Sequence, residues 1–244
     1  MQLEALALRM RPRAPLEAAD LGVRLCQDAA RSVYACYAVA YVPIVALAVA
    51  SFEIASWLPT LFLFCSKPWL DRTILFVLSR AAFGQPTTVR QLWEARGQVW
   101  GRQLLLTWTW RRLSPWRSFT QPVYQLEGLP FGKVGKRVKQ VRRRKRGTAL
   151  AMMAAFAMAE TCLGFTLLSL LVWFAPTEAA GNLIEVLFDP TSELFEVSMA
   201  VAYAIVIAFL EPFYVAAGFA MYLNRRAELE AWDVEQELRR AFAS

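Results

Sequence analysis

Glu160 and Glu211 are the residues whose positions could carry chemistry, because each lies near the centre of a long apolar stretch. The first occurs in AMAETCLGF and the second in AFLEPFYVAAG. A charged side chain at the centre of a bilayer costs at least about 2.5 kcal/mol, so such groups face the interior of a bundle and stay protonated unless they are paired. We therefore expect both carboxyls to face other helices.

The two carboxyls have a functional and a structural interpretation. As neighbours they would form a proton relay or a cation site, or else hydrogen-bonded links between helices. Pro212 leaves one carbonyl without an N–H donor, which Thr161, Tyr214 or a protonated Glu would satisfy. Arg72 would supply a counter-charge if its segment re-enters the membrane. The structural interpretation is favoured, because the two spans contain no Lys, Arg or His and two Glu alone make a poor metal site.

No other arrangement of residues points to catalysis. The chain has no His, and its four Cys show no CxxC spacing, so a His-based triad, a zinc site and a disulfide framework all lack their residues. We expect the Cys side chains to be buried free thiols. The stretch GLPFGKVGK at 128–136 lacks the Ser or Thr that ends a phosphate-binding loop. We predict a protein that is not an enzyme and that holds no metal or cofactor.

Long apolar stretches predict an all-α, polytopic transmembrane bundle. The chain is 57% hydrophobic and only 19% charged, which is unusual for a soluble domain. A helix that crosses a bilayer core of about 30 Å needs about 20 apolar residues at about 1.5 Å each. Segments 33–52, 148–174 and 197–223 meet this requirement, and we predict that each of them spans the membrane.

A fourth apolar segment, 54–66, is too short for an unassisted crossing. Extending it would draw Lys67, Asp71 and Arg72 into the membrane, so we predict a short span or a re-entrant turn. If this segment crosses, the bundle has four spans and the N terminus is cytoplasmic. If it does not, there are three spans and the N terminus is outside. Basic residues within the first 13 positions favour four spans.

Charge asymmetry predicts the orientation. Between residues 80 and 146 there are sixteen Lys or Arg and two acids, whereas the loop 175–196 is acidic. Because basic flanks stay on the cytoplasmic side, we expect 67–147 to be a cytoplasmic or interfacial segment. The ends, 1–32 and 224–244, are predicted to be cytoplasmic helices, and no signal peptide is recognisable. The second of these helices either docks a partner or packs on its own membrane domain.

The basic segment is predicted to contact anionic lipid headgroups or a protein partner rather than nucleic acid. Trp and Arg alternate through 98–123, as at a membrane interface, although cation–π packing within a small subdomain is an alternative. Phe131, Val134, Val138 and Val141 follow helical spacing and predict an amphipathic helix on the membrane surface. The residues expected at this interface are Lys133, Lys136, Arg137, Lys139, Arg142, Arg143, Arg144, Lys145, Arg146, Trp108, Trp110 and Trp116.

Three stretches carry a resemblance to a family of small proteobacterial inner-membrane proteins. They are KPWLDRTILFVLSRAAFG at 67–84, WRRLSPWRSFTQPVYQLEGL at 110–129 and EPFYVAAGFAMYLNRRAELEAWDVE at 211–235. The chain is also distantly similar to the membrane domain attached to some glycerophosphodiester phosphodiesterases, in its LEGL element followed by a basic helix and a span. It contains no phosphodiesterase barrel, so that activity is not implied.

The resemblance implies a non-catalytic component of the bacterial inner membrane. Members of the family are often encoded beside a MoxR-type AAA+ ATPase, which suggests a partner assembly. We therefore expect a scaffold or accessory subunit that recruits partners through a basic cytoplasmic surface. The alternative is a small transporter or lipid-handling protein that uses Glu160 and Glu211.

Overall fold

The computed structural model describes residues 13–101, 114–174, 176, 181, 184–186, 189 and 192–230, and for Phe131 the backbone alone. Within these ranges the chain is helical and contains no strand, which confirms the all-α class. The main helices are α1 (Pro15–Asp28), α2 (Ala30–Ala50), α3 (Leu58–Ala81), α4 (Val89–Glu94), α5 (Arg96–Val99), α6 (Arg117–Leu126), α7 (Phe131–Arg142), α8 (Arg146–Trp173) and α9 (Glu193–Glu230).

Three of the described helices are long and apolar enough to cross a membrane. They are Ala30–Glu53, which includes a short 3-10 turn after α2, Arg146–Trp173 and Glu193–Glu230. The predicted spans 33–52 and 197–223 fall inside them, and 148–174 extends one residue past the end of its helix. Helix α9 continues past the predicted end of its span at residue 223, so the described part of the C-terminal segment extends the same helix to Glu230.

Helices α1 and α2 run antiparallel to α9 along one of its faces. At one end of this contact, the Arg13 backbone N–H donates to Asn224 Oδ1 over 2.9 Å. Further along, the Tyr41 hydroxyl donates to the Ala204 carbonyl over 2.5 Å. Residue numbers rise along α1 and α2 while those of their partners on α9 fall, so both helices pack on α9.

Glycines allow two helices to approach the backbone of α9 closely. A Cβ added at Gly22 of α1 would lie 2.2 Å from the Ala216 carbonyl oxygen. A Cβ added at Gly218 of α9 would lie 2.4 Å from the Ser118 hydroxyl oxygen of α6. Any larger side chain at either position would force the helices apart, so α1 and α6 depend on these glycines for their packing.

Helix α3 is one continuous helix, Leu58–Ala81, where the sequence predicted a short apolar segment at 54–66. The charges that appeared to end it do not do so, because Lys67, Asp71 and Arg72 are 7%, 0% and 4% exposed and are enclosed by neighbouring helices. The chain after α3 returns to the start of α2, where the Ser32 hydroxyl donates to the Thr87 carbonyl over 2.5 Å. Helices α2 and α3 therefore form an antiparallel hairpin.

The bundle has an exposed apolar half and a covered half. In the first part of α9, Val201, Ile205 and Phe209 are 54%, 51% and 56% exposed. In its second part, residues 211–224 are all buried except Phe213, because α1, α3 and α6 pack around them. A membrane would contact the exposed half, whereas protein encloses the covered half.

Helix α7 buries its apolar stripe in the protein. Val134, Val138 and Val141 are 5%, 7% and 0% exposed and belong to the central hydrophobic core. The expectation that this stripe lies on lipid is therefore wrong for the three valines, and the side chain of Phe131 lies outside the described residues. Helical periodicity identified the apolar face correctly, but it could not tell which apolar surface covers that face.

The four cysteines are free thiols, but they are not all buried. Cys26 and Cys36 are buried, Cys65 is partly buried and Cys162 is exposed on α8. Burial raises the pKa of the Cys26 thiol to about 12, so this group in α1 stays protonated and unreactive at neutral pH. The expectation of buried thiols is thus wrong for Cys162, which lies on the side of α8 that faces outward.

Replacing Gly22 by Ala should destabilise the protein by about 2 kcal/mol, because the added methyl group meets a backbone carbonyl that cannot move aside easily. The measurement is the free energy of unfolding of the purified protein in detergent. Gly164→Ala in α8 is the matched control, since its Cβ would meet no described atom within 4 Å. Equal stabilities of the two variants would contradict the close packing of α1 on α9.

Candidate functional site

Five ionisable side chains form a line of alternating charge inside the bundle. Arg117 Nε lies 2.7 Å from Asp71 Oδ2, and Arg117 Nη2 lies 2.5 Å from Glu211 Oε1. Lys67 Nζ lies 3.2 Å from Glu211 Oε2 and 2.7 Å from Glu160 Oε1. The order is therefore Asp71, Arg117, Glu211, Lys67 and Glu160, and we call this set the charge chain.

Four helices contribute to the charge chain. Helix α3 supplies Lys67 and Asp71, which are four residues apart and so share one face of the helix. Helix α6 supplies Arg117 at its first position, α9 supplies Glu211 and α8 supplies Glu160. Each cation bridges two carboxyls, so the charge chain fixes α3 against α6, α8 and α9 at once.

Most of the charge chain is buried, which increases the contribution of its ion pairs to stability. The side chains of Asp71, Glu211, Lys67 and Arg117 are 0%, 4%, 8% and 11% exposed, whereas Glu160 is 26% exposed. Removing one partner from a buried ion pair typically costs about 3–5 kcal/mol, because the other charge is left without compensation in a medium of low polarity. The four inner groups therefore depend on one another, and Glu160 is the member most accessible from outside.

The charge chain contains more carboxyls than cations. Lys67 and Arg117 contribute two positive charges, while Asp71, Glu211 and Glu160 contribute three negative charges when all are ionised. A site enclosed by protein and lipid favours a total charge close to zero. One proton or one additional cation would balance the five groups.

Glu160 and Glu211 both form ion pairs with Lys67. The sequence did not predict this role for Lys67. Sequence reasoning found no Lys or Arg inside the spans, but both counter-charges come from outside the predicted boundaries: Lys67 follows the apolar segment 54–66, and Arg117 lies in the basic segment. The pattern that could have revealed them is the Lys67 and Asp71 pair within LFLFCSKPWLDRTILFVL, since such spacing places opposite charges on one helical face.

The other predicted intramembrane residues make different contacts, and one of them packs on the charge chain. The Arg72 Nε donates to the Val99 carbonyl over 2.5 Å, which joins α3 to α5. Thr161 donates to the Ala157 carbonyl of its own helix over 2.9 Å. The Tyr214 ring lies 5.5 Å from the Arg117 guanidinium carbon and packs over the charge chain as a cation–π partner.

Two cavities lie on either side of the Lys67–Glu160 ion pair. The first, of about 290 Å³, is bordered by Arg117, Phe156 and Tyr214. The second, of about 360 Å³, is bordered by residues of α8 and α9 that are mostly apolar, including Phe165, Leu168, Met199, Tyr203 and Val206. Both cavities share Lys67 and Glu160. The Lys67–Glu160 pair, the least buried of the charge chain, therefore borders both cavities.

The predicted basic interface divides into internal and exposed residues. Arg137 forms ion pairs with Glu127 and Glu230, Lys145 pairs with Glu228 over 2.8 Å, and the Arg142 guanidinium carbon lies 3.6 Å from the centre of the Trp116 ring. Burial alone would lower the pKa of Arg137, but its hydrogen bonds to the two glutamates outweigh burial and raise that pKa. The exposed cations are Lys133, Lys136, Lys139, Arg143, Arg144 and Arg146.

One of the three Trp residues of the predicted interface lies within the described part of the chain. Trp116 is partly buried, and its indole N–H donates to the Arg146 carbonyl over 3.1 Å. Its contact with Arg142 matches the cation–π alternative for this part of the chain. Trp108 and Trp110 lie outside the described residues.

Comparisons with models of protein families, with curated proteins and with solved structures find no match for this chain. Among the described residues, no group of three or more His, Cys, Asp and Glu side chains is arranged to hold a metal ion.

Replacing Lys67 by Met should destabilise the protein by about 3–5 kcal/mol, because Glu160 and Glu211 lose their shared counter-charge. Chemical denaturation in detergent micelles measures this change. Lys133→Met, which removes an exposed cation, serves as the control and should change stability by less than about 0.5 kcal/mol. Similar small effects of both substitutions would mean that the ion pairs do not stabilise the bundle.

Proposed function

We propose that the chain is a bacterial inner-membrane protein with four spans, in which α3 completes the second crossing. Arg13 precedes the first span, and Asn224 directly follows the last predicted span, 197–223. The two residues are hydrogen-bonded to each other. Contact between the two ends requires that they lie on the same side, which supports an even number of crossings. The charge chain supports it further, because it compensates Lys67 and Asp71 within α3.

The sign of the surface charge supports the orientation. The exposed cations of α7 and of the turn before α8 lie at the same end as the Arg13 contact, since Lys145 pairs with Glu228 near the end of α9. Positive residues at that end favour the cytoplasmic side for both termini. The acidic loop 175–196 then lies on the outer side.

Reporter fusions test this topology. One reporter is fused to the N terminus, ahead of Arg13, and a second is inserted at residues 84–86, after α3. Both should report the cytoplasm, because the antiparallel hairpin of α2 and α3 returns the chain to its starting side. A reporter inserted at 189, in the acidic loop, should report the outer side and is the control. An external signal from the N-terminal fusion would contradict the four-span arrangement.

We infer that the protein acts as a non-catalytic scaffold or accessory subunit. The observation that carries this inference is the preformed basic surface: six cations stay exposed on and after α7, while Arg137, Arg142 and Lys145 are held by internal contacts. A fixed surface of one charge sign favours binding to anionic headgroups and to acidic protein surfaces. A MoxR-type ATPase assembly, suggested by the sequence resemblance, is the proposed protein partner.

Charge reversal tests the scaffold role. A variant with Lys133, Lys136 and Lys139 changed to Glu should lose about tenfold or more of its affinity for a partner that binds this surface, which corresponds to about 1.4 kcal/mol or more in total. The measurement is quantitative recovery of partners after purification from native membranes.

The matched control for that test changes Arg24, Arg31 and Arg90 to Glu. These three cations are also exposed but lie on α1, α2 and α4, outside the basic surface. Equal partner recovery for both triple variants and the unmodified protein would contradict the scaffold role of the basic surface.

A second candidate, a small transporter or lipid-handling protein, is favoured by a different observation. The Lys67–Glu160 pair borders two cavities, and ionisable groups within a membrane-spanning bundle usually serve transport or ligand binding. The two candidates are separable, because the first needs the exposed cations of α7 and the second needs the cavities beside α8. Both roles are compatible with one protein.

A further inference from the structure

Three cavities follow one another along the faces of α3, α8 and α9. The first and second share the Lys67–Glu160 pair, and the second and third share Met199 and Tyr203. Phe64 borders all three. We call this succession the lateral groove. It runs from Arg117 at the covered half to a third cavity of about 380 Å³ in the exposed half.

The rim of the lateral groove belongs to the apolar half of the bundle. Helix α8 buries only a small part of its surface, and Met158 and Phe165 are 70% and 57% exposed. On the α3 side of the groove, Leu61 and Phe64 border the third cavity and are 43% and 45% exposed. Lipid chains therefore have direct access to the groove from the side, and its apolar lining suits acyl chains rather than a water-soluble ligand.

The polar centre of the groove suits a ligand with a positive group. Glu160 is the least buried member of the charge chain and borders both of the first two cavities. Lys67 also pairs with Glu211, so an ammonium group could share Glu160 without leaving Lys67 unpaired. Ammonium N–H groups would donate charge-assisted hydrogen bonds to the Glu160 carboxylate.

The phosphate of such a ligand has a counterpart as well. It lies between the ammonium and the acyl chains, and Lys67 borders the second cavity beside Glu160 and the apolar lining. The Tyr203 ring, whose centre is 5.2 Å from Lys67 Nζ, adds an aromatic face that attracts cations.

We propose that the lateral groove binds a phospholipid whose headgroup carries a primary ammonium, with the ammonium at Glu160 and the chains along the apolar lining beside Phe64 and Phe165. This site goes beyond the scaffold role and gives the lipid-handling candidate its ligand class. It does not involve the exposed cations of α7, so failure of the scaffold role and failure of the lipid site are distinguishable.

The test is competition between lipids in nanodiscs that contain equal amounts of phosphatidylethanolamine, phosphatidylcholine and phosphatidylglycerol. Native mass spectrometry of the released protein reports which lipid it retains. Phosphatidylethanolamine should be retained about tenfold more than phosphatidylcholine, whose quaternary ammonium has no N–H group to donate to Glu160. Phosphatidylglycerol, which lacks a cation, should gain nothing from Glu160, and any that the exposed cations of α7 retain should be unaffected by Glu160→Gln.

Two variants address different parts of the site. Glu160→Gln should remove the preference for the primary ammonium, and Glu53→Gln, at an exposed position after α2, is its control. Gly164→Leu should fill the second cavity and reduce retention of all three lipids, because Gly164 borders it and has open space beside its Cα. Gly147→Leu, also in open space but outside the groove, is the control for this variant.

The outcomes decide the proposal. Loss of the preference in Glu160→Gln together with loss of retention in Gly164→Leu supports it, provided that both controls behave like the unmodified protein. If Glu160→Gln does not fold, the lipid preference of the unmodified protein and the Gly164→Leu variant decide instead. Equal retention of phosphatidylethanolamine and phosphatidylcholine, or a protein helix retained in place of lipid, would each overturn it.

Discussion

The ammonium group of Lys67 is the constraint on which the rest of the structure depends. It lies in an apolar bundle and is 8% exposed, so it is stable only where carboxylates compensate it. Glu160 and Glu211 meet that requirement from two different helices. The positions of α8 and α9 against α3 therefore follow from one side chain, and the same contact divides the space beside α8 into two cavities.

Arg117 extends this constraint into the covered half. It bridges Glu211 and Asp71, and it is the first residue of α6, which packs on α9 where Gly218 leaves room for Ser118. The basic surface on α7 lies next to this region, because α6 and α7 are in contact. The ion pairs of the charge chain thus connect the exposed helix α8 with the covered half, where α6 packs on α9. A change at Glu160 would act on both through Lys67 and Arg117.

Local properties of the sequence predicted the spans, whereas the site needed tertiary information. Length and hydropathy are properties of a single segment, so the three long apolar helices were predictable to within a few residues at their ends. The positions of Glu160 and Glu211 marked the site, but their partners were not predictable from the spans alone. Lys67 appeared to end a helix because its compensation comes from residues 93 and 144 positions away in the chain, at 160 and 211.

A double-mutant cycle on Lys67 and Glu211 tests the central claim most directly. The free energies of unfolding of the unmodified protein, Lys67→Met, Glu211→Gln and the double variant would be measured in the same detergent. If Lys67 holds the bundle together through its carboxylates, the two substitutions should be coupled by about 1–3 kcal/mol, with the double variant more stable than additivity requires. Additive effects, within about 0.5 kcal/mol, would contradict the account.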